Sequence, residues 1–119
     1  MVKMRQILVI GNNDNGCTPE LEKIAYDAGK EIAQSNSVLI TGGLGGVMKA
    51  ASHGAKDGGG LTIGIIPQDD SSLANEYCDI VIPSGMGLSR DFLNALSAEG
   101  VIVVAVSYTH LTLPTILLV

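Results

Sequence analysis

The sequence has no tryptophan, one phenylalanine and three tyrosines, so aromatics make up only 3% of its 119 residues. Its core must therefore be aliphatic, built from Ile, Val, Leu, Ala and Met within an apolar fraction of 46%. Cysteine is scarce as well. Cys17 and Cys78 match no metal or redox spacing, and two cysteines make no disulfide framework, so ordinary reduced thiols and a cytoplasmic location are expected. Positive charge is short too: seven basic residues face twelve acidic ones, for a net charge of −5. That balance argues against a nucleic-acid polymer or an anionic membrane as partner. An anionic small ligand would have to be held by backbone N–H groups and an arginine. No apolar run approaches the roughly 20 residues of a membrane span, and Ile7–Ile10, behind the basic start, is far too short for a signal peptide. No metal is expected either, because Asp69 and Asp70 in a Ser-rich loop read as solvated and His53 as a surface or half-buried side chain.

What the chain has instead is glycine. The stretch Val38–Ala55, VLITGGLGGVMKAASHGA, reads as a short apolar strand, Thr41, a loop carrying Gly42, Gly43, Gly45 and Gly46, and then a helix. Such glycines let another group touch the main chain. A helix that starts among them points its unpartnered N–H groups and its positive end outward, which makes an anion site. The spacing is not that of a dinucleotide fingerprint, since Met48 stands where the third glycine would be, and no Lys-Ser or Lys-Thr follows to make a P-loop. Glycines that merely form a tight turn are the plainer alternative, but their density between a strand and a helix favours a ligand.

The rest of the chain repeats this grammar. Gln6–Ile10 is a continuous branched run, as in a central parallel strand covered on both faces. Thr18 caps a helix with Pro19 at its first position and Leu21, Ile24, Ala25, Ala28 and Ile32 along one face. Asn36 is a reasonable stop. Leu61–Ile66 is a third buried strand, ended by Pro67. After a polar connection, Asp79–Ile82 is a fourth strand, Ser89 caps a third helix starting at Arg90, and Val101–Val106 is a fifth strand. The expected fold is α/β, an open, mostly parallel Rossmann-like sheet of about five strands with three helices, in the order 3-2-1-4-5.

In such a sheet ligands bind beyond the carboxyl ends of the strands, where the strand order reverses. The expected pocket is lined by the first, second and fourth of the loops there. Its contacts are Gly11 and Asn12 from the first; Thr41, Gly42, Gly43, Gly45 and Gly46 from the second; and Gly85, Met86 and Gly87 from the fourth. Arg90 stands in the first turn of the third helix, where positive charge is locally unfavourable and hints at an external anion. Asn75 and Tyr77 are further candidates to touch a ligand from above.

With these residues in view, the chain resembles the lonely-guy-like nucleotide-binding superfamily, and within it the small bacterial and archaeal branch related to molybdenum-cofactor carrier proteins. The matching pieces are VLITGGLGGVMKAASHGA, TIGIIP, ANEYCDIVI and SGMGLSRDFLNALSAEGVIVV, in family order over most of residues 6–105. The resemblance implies a Rossmann-like fold in homodimers or larger oligomers. Its better-known enzymes cleave the N-glycosidic bond of nucleoside 5′-monophosphates, using an arginine that matches Arg90 and a glutamate in a P-G-G-x-G-T-x-x-E motif. The branch nearest this sequence carries G-G-G-x-G-T-x-x-E after its fifth strand.

Neither form is present. After Val106 the chain reads SYTHLTLPTILLV, without glycine or acid. Residues 1–106 are thus expected to form a Rossmann-like nucleotide-binding domain, incomplete at its C-terminus, and residues 107–119 a foreign tail. Glu76 and Glu99 are the nearest acids by sequence, but neither occupies the family's position, and no catalytic residue is assigned. The expected function is binding of a nucleotide or phosphorylated cofactor, such as a molybdopterin-type ligand, as a carrier that needs no cofactor of its own. The alternative is a truncated, inactive nucleoside monophosphate phosphoribohydrolase.

Overall fold

The structure is a computed structural model that describes residues 4–87, 94 and 98–104, together with the backbone of residues 116–118. Strand β1 (Arg5–Gly11) leads through a short 3-10 turn into α1 (Pro19–Gln34), then β2 (Ser37–Thr41), α2 (Val47–Asp57) and β3 (Thr62–Ile66). A second 3-10 turn precedes β4 (Ile80–Pro83), and β5 (Gly100–Val104) and β6 (Ile116–Leu118) complete the sheet. All pairings are parallel, in the order β4-β3-β2-β1-β5-β6. The expected class is found: an open parallel sheet whose strands 3-2-1 lie side by side.

The local chemistry explains the elements. Thr18 Oγ1 accepts from Leu21 N at 3.2 Å and Pro19 opens α1, so one orphan N–H is satisfied and another is absent. Asn36, with φ of 57°, takes the left-handed turn that ends this helix. β2 is buried along its whole length, as the continuous apolar run requires. Alternation then divides the core. Val9, Leu39 and Val104 face α1 and α2, while Leu8, Ile40, Ile65, Val101 and Val103 form a second cluster. α1 and α2 meet backbone to backbone. A Cβ on Gly29 would run into the Ala51 carbonyl oxygen, and one on Gly54 into that of Tyr26.

The fourth strand departs from the expected order. It lies outside β3, with Ile63 opposite Ile80 and Ile65 opposite Ile82, and β1 has β5 as its second neighbour. The connection from Pro67 to Asp79 explains why. Asn75 N donates to Gly43 O and Asn75 Nδ2 to Leu44 O, both at 2.8 Å, so the connection crosses beside the second loop. Asp79 then locks the strand onto β3: its Oδ2 accepts from Thr62 N at 3.1 Å and from Lys56 Nζ at 2.8 Å, while its N–H donates to Thr62 Oγ1 at 2.8 Å. The reversal of strand order therefore falls between β1 and β5, not between the first and fourth strands. The third helix expected from Arg90 onward falls largely outside the described residues, as do the last two residues of the expected fifth strand. No helix among the described residues is long and apolar enough to cross a membrane.

Candidate functional site

The first two loops meet at the carboxyl ends of β1 and β2. Gly46 is the residue before α2, with φ of 59°, and offers that helix no side-chain cap of its own. The first loop supplies one instead. Gly45 N donates to Asn13 Oδ1 at 3.0 Å, Gly46 N to an Asp14 carboxylate oxygen at 2.8 Å, and Val47 N to the Asn12 carbonyl at 2.9 Å. A carboxylate thus sits at the positive end of α2, where the macrodipole favours it. Thr41 is fully buried, and its hydroxyl accepts from Gly43 N at 3.0 Å. A Cβ on Gly45 would stand 2.5 Å from the Asp14 carboxylate oxygens, and one on Gly46 would strike the Asn12 carbonyl. Here the glycines are required by the close approach of the first loop.

Of the expected contacts, Gly11, Asn12, Thr41, Gly42, Gly43, Gly45 and Gly46 come together. Gly85, Met86 and Gly87 do not join them. Because β4 lies outside β3, its loop docks on the third loop: Gly85 N donates to Gln68 O and Gly87 N to Pro67 O, both at 3.0 Å. Arg90 lies outside the described residues. Asn75 holds the second loop through its carbonyls, and Tyr77 reaches the neighbouring cleft.

That cleft, of about 440 Å³, opens over α2 beside the glycine loop and is lined by Asp14, Cys17, Glu22, Lys49, His53 and Tyr77. His53 stacks on Tyr77 with ring centres 4.4 Å apart and planes within 10°, while the Tyr26 ring meets it edge-on at 5.3 Å. Tyr26 donates to Asp57, and His53 Nε2 lies 3.5 Å from the same carboxylate. Lys49 Nζ pairs with Glu76 at 3.6 Å. Burial pushes the Cys17 thiol up, and the charges of Glu22 and Asp14 push it further, so it remains a neutral thiol at pH 7 rather than a nucleophile. Asp70, the other acidic candidate, caps its own turn: Ser72 Oγ at 2.7 Å and Ser72 N at 2.9 Å hold its carboxyl below the usual range. Among the described residues no three acids, histidines or cysteines gather into a metal site.

Sequence reasoning missed Asn13, Asp14 and Lys49. The available signal was the N-terminus of α2 itself: a helix that begins at glycine has no cap of its own, and NNDNG is a nearby source of short polar side chains.

An all-parallel open sheet with glycine-bearing βα loops joined at the carboxyl ends of its central strands defines a Rossmann-like α/β protein. The chain belongs to the SLOG cluster4 family, whose model matches residues 4–112. It is similar to an uncharacterised protein of Archaeoglobus fulgidus, 42% identical over 107 residues that cover 90% of this chain and 69% of that one. Among solved structures it resembles the molybdenum cofactor binding protein of Rippkaea orientalis, with TM-score 0.86 and 38% identity over 91% of this chain and 66% of that one. It also resembles the Moco carrier protein of Chlamydomonas reinhardtii, with TM-score 0.80 and 36% identity over 88% of this chain and 64% of that one. The chain thus spans about two thirds of the length of these solved relatives.

Proposed function

We propose that this chain binds a phosphorylated small molecule of the molybdenum-cofactor type at the loops Gly11–Asp14 and Gly42–Gly46, and holds it as cargo. The observation that carries the reading is the hydrogen bond from Gly46 N to the Asp14 carboxylate at 2.8 Å. An anionic oxygen already occupies the positive end of α2, and a ligand phosphate would take the same place. The site fits such a group by exchange: the phosphate replaces Asn13 and Asp14 on the Gly45 and Gly46 N–H groups, and the first loop moves outward to admit it. Arg90 is proposed to add the side-chain charge. Solved relatives named for binding or carrying this cofactor, at 36% and 38% identity, support the reading.

The test is transfer of cofactor released from a denatured molybdoenzyme to the purified chain, followed by gel filtration and molybdenum analysis. Co-elution of molybdenum with the protein is expected, and its loss in Gly45→Val with the circular dichroism unchanged. A Gly45→Val protein that retains the parent's molybdenum content would refute the site. Arg90→Ala is expected to weaken binding by about 1.5–3 kcal/mol, the range for a charged hydrogen bond. Arg90→Lys should recover only part, because the planar fork is lost.

A further inference from the structure

We propose that the cleft over α2 reads the amino–oxo edge of a flat nitrogen heterocycle, with the Glu22 carboxylate accepting from adjacent ring and amino N–H groups and Lys49 Nζ donating to the neighbouring carbonyl oxygen. This rests on the preceding reading and assigns the other end of the same ligand. The cleft is lined by Gly46 of the glycine loop and Asp14 of the first loop, so a molecule whose phosphate sits where these loops meet extends directly into it. Its volume of about 440 Å³ falls in the ordinary range for small-molecule sites, about 300–1,000 Å³.

Three features select a heterocycle with neighbouring donors and an acceptor. First, the wall is aromatic: Tyr77 and His53 are stacked, and the Tyr26 and His53 rings meet at a steep angle with centres 5.3 Å apart. Second, Glu22 stands in the first turn of α1 and lines the cleft. It has no hydrogen-bond or ion-pair partner among the described residues, so both of its oxygens are available to paired N–H donors. Third, Lys49 brings the opposite charge to the same cleft, and its only ion pair among the described residues is a long, half-exposed contact with Glu76 at 3.6 Å. Such pairs are weak and readily exchanged. A carboxylate and an ammonium lining the same cleft complement a donor–donor–acceptor edge, as in a 2-amino-4-oxo pyrimidine ring. An edge of the adenine kind, with a donor beside an acceptor, leaves the carboxylate half-paired.

Isothermal titration of the full chain with GMP, IMP and AMP tests this, since the three share a phosphate and differ in that edge. GMP is expected to bind at least about tenfold tighter than AMP, the discrimination a bidentate base contact supplies, with IMP, which lacks the amino group, between them. Glu22→Gln should bring GMP down to the level of IMP and leave AMP unchanged. Lys49→Met should weaken GMP and IMP alike. Equal affinities for the three nucleotides, or a Glu22→Gln protein that discriminates as well as the parent, overturn the assignment of the edge. If that happens while released molybdenum cofactor still co-elutes with the chain, the cofactor reading stands without it; if neither cofactor nor nucleotide binds, both fall.

Discussion

Asp79 fixes the position of a whole strand from a place beside its first residue. It accepts from the Thr62 N–H and from Lys56, and Thr62 is completely buried. Burial alone would raise its pKa, but the Lys56 ammonium and the Thr62 donors outweigh it and hold the carboxyl below its usual value. A carboxylate depressed in the folded state contributes stability that is fully present above the unfolded pKa, near 3.9, and is lost as pH falls through the folded value. Acid unfolding followed by circular dichroism should therefore show Asp79→Asn less stable than the parent at pH 7, with the gap closing below about pH 4. A gap that persists at the lowest pH would mean the loss is one of packing. None of this was legible in the sequence, because Asp79, Thr62 and Lys56 meet only once β3 and β4 are paired. The same holds at the glycine loop: the glycines announced close backbone approach, but not that Asn13 and Asp14 would be what approaches.

At the scale of elements, the packing of α1 on α2 depends on having nothing between them. Gly29 and Gly54 face opposing carbonyl oxygens, and backbone cannot rotate aside as a side chain does. Gly54→Ala should force the helices apart and cost about 1–3 kcal/mol, as overpacking does in cores. Thermal unfolding should reveal it as a drop of several degrees, and an unchanged midpoint would show that the contact has slack. The elements themselves could be read well from the chain. QILVI and the Thr18-Pro19 start of α1 each follow from local pattern, and the structure places both as expected. The fourth strand could be read as a strand but not placed. Its neighbour is decided by Asn75 holding the carbonyls of Gly43 and Leu44, a contact between segments 31 positions apart, and no local periodicity records it.

For the molecule as a whole, the proposed carrier role comes with an expected lack of chemistry. Breaking an N-glycosidic bond develops cation-like charge on the ribose, and a nearby carboxylate must stabilise it. Of the acids that the structure brings to the site, Asp14 is displaced from α2 by the phosphate in the proposed complex and Glu22 reads the ring, so neither is assigned to the ribose. Incubation with AMP should release no free adenine at an ordinary enzymatic rate, on the order of 1 s⁻¹; release at that rate would establish the phosphoribohydrolase alternative. Self-association is also expected. β4 exposes Ile80 and Ile82, 44% and 42% accessible, on the rim of the sheet, and apolar side chains on a sheet edge favour contact with another chain. Sedimentation velocity should show a dimer or larger species, dispersed by Ile80→Lys with Ile82→Lys. A monomer at tens of micromolar would count against it.

The strand order has a consequence for how the chain is made. From Arg5 to Pro83 the neighbours in space are the neighbours in sequence, β1 to β2 to β3 to β4. A nascent chain leaving the ribosome can therefore add each strand to the last without waiting for distant residues, and segments that mature early do so with little loop closure. β5 breaks this rule, since it pairs with β1, the oldest strand. Until Gly100–Val104 emerges, one flank of β1 stays open through the synthesis of everything between, and it is during this interval that the chain is most exposed to pairing with the wrong strand.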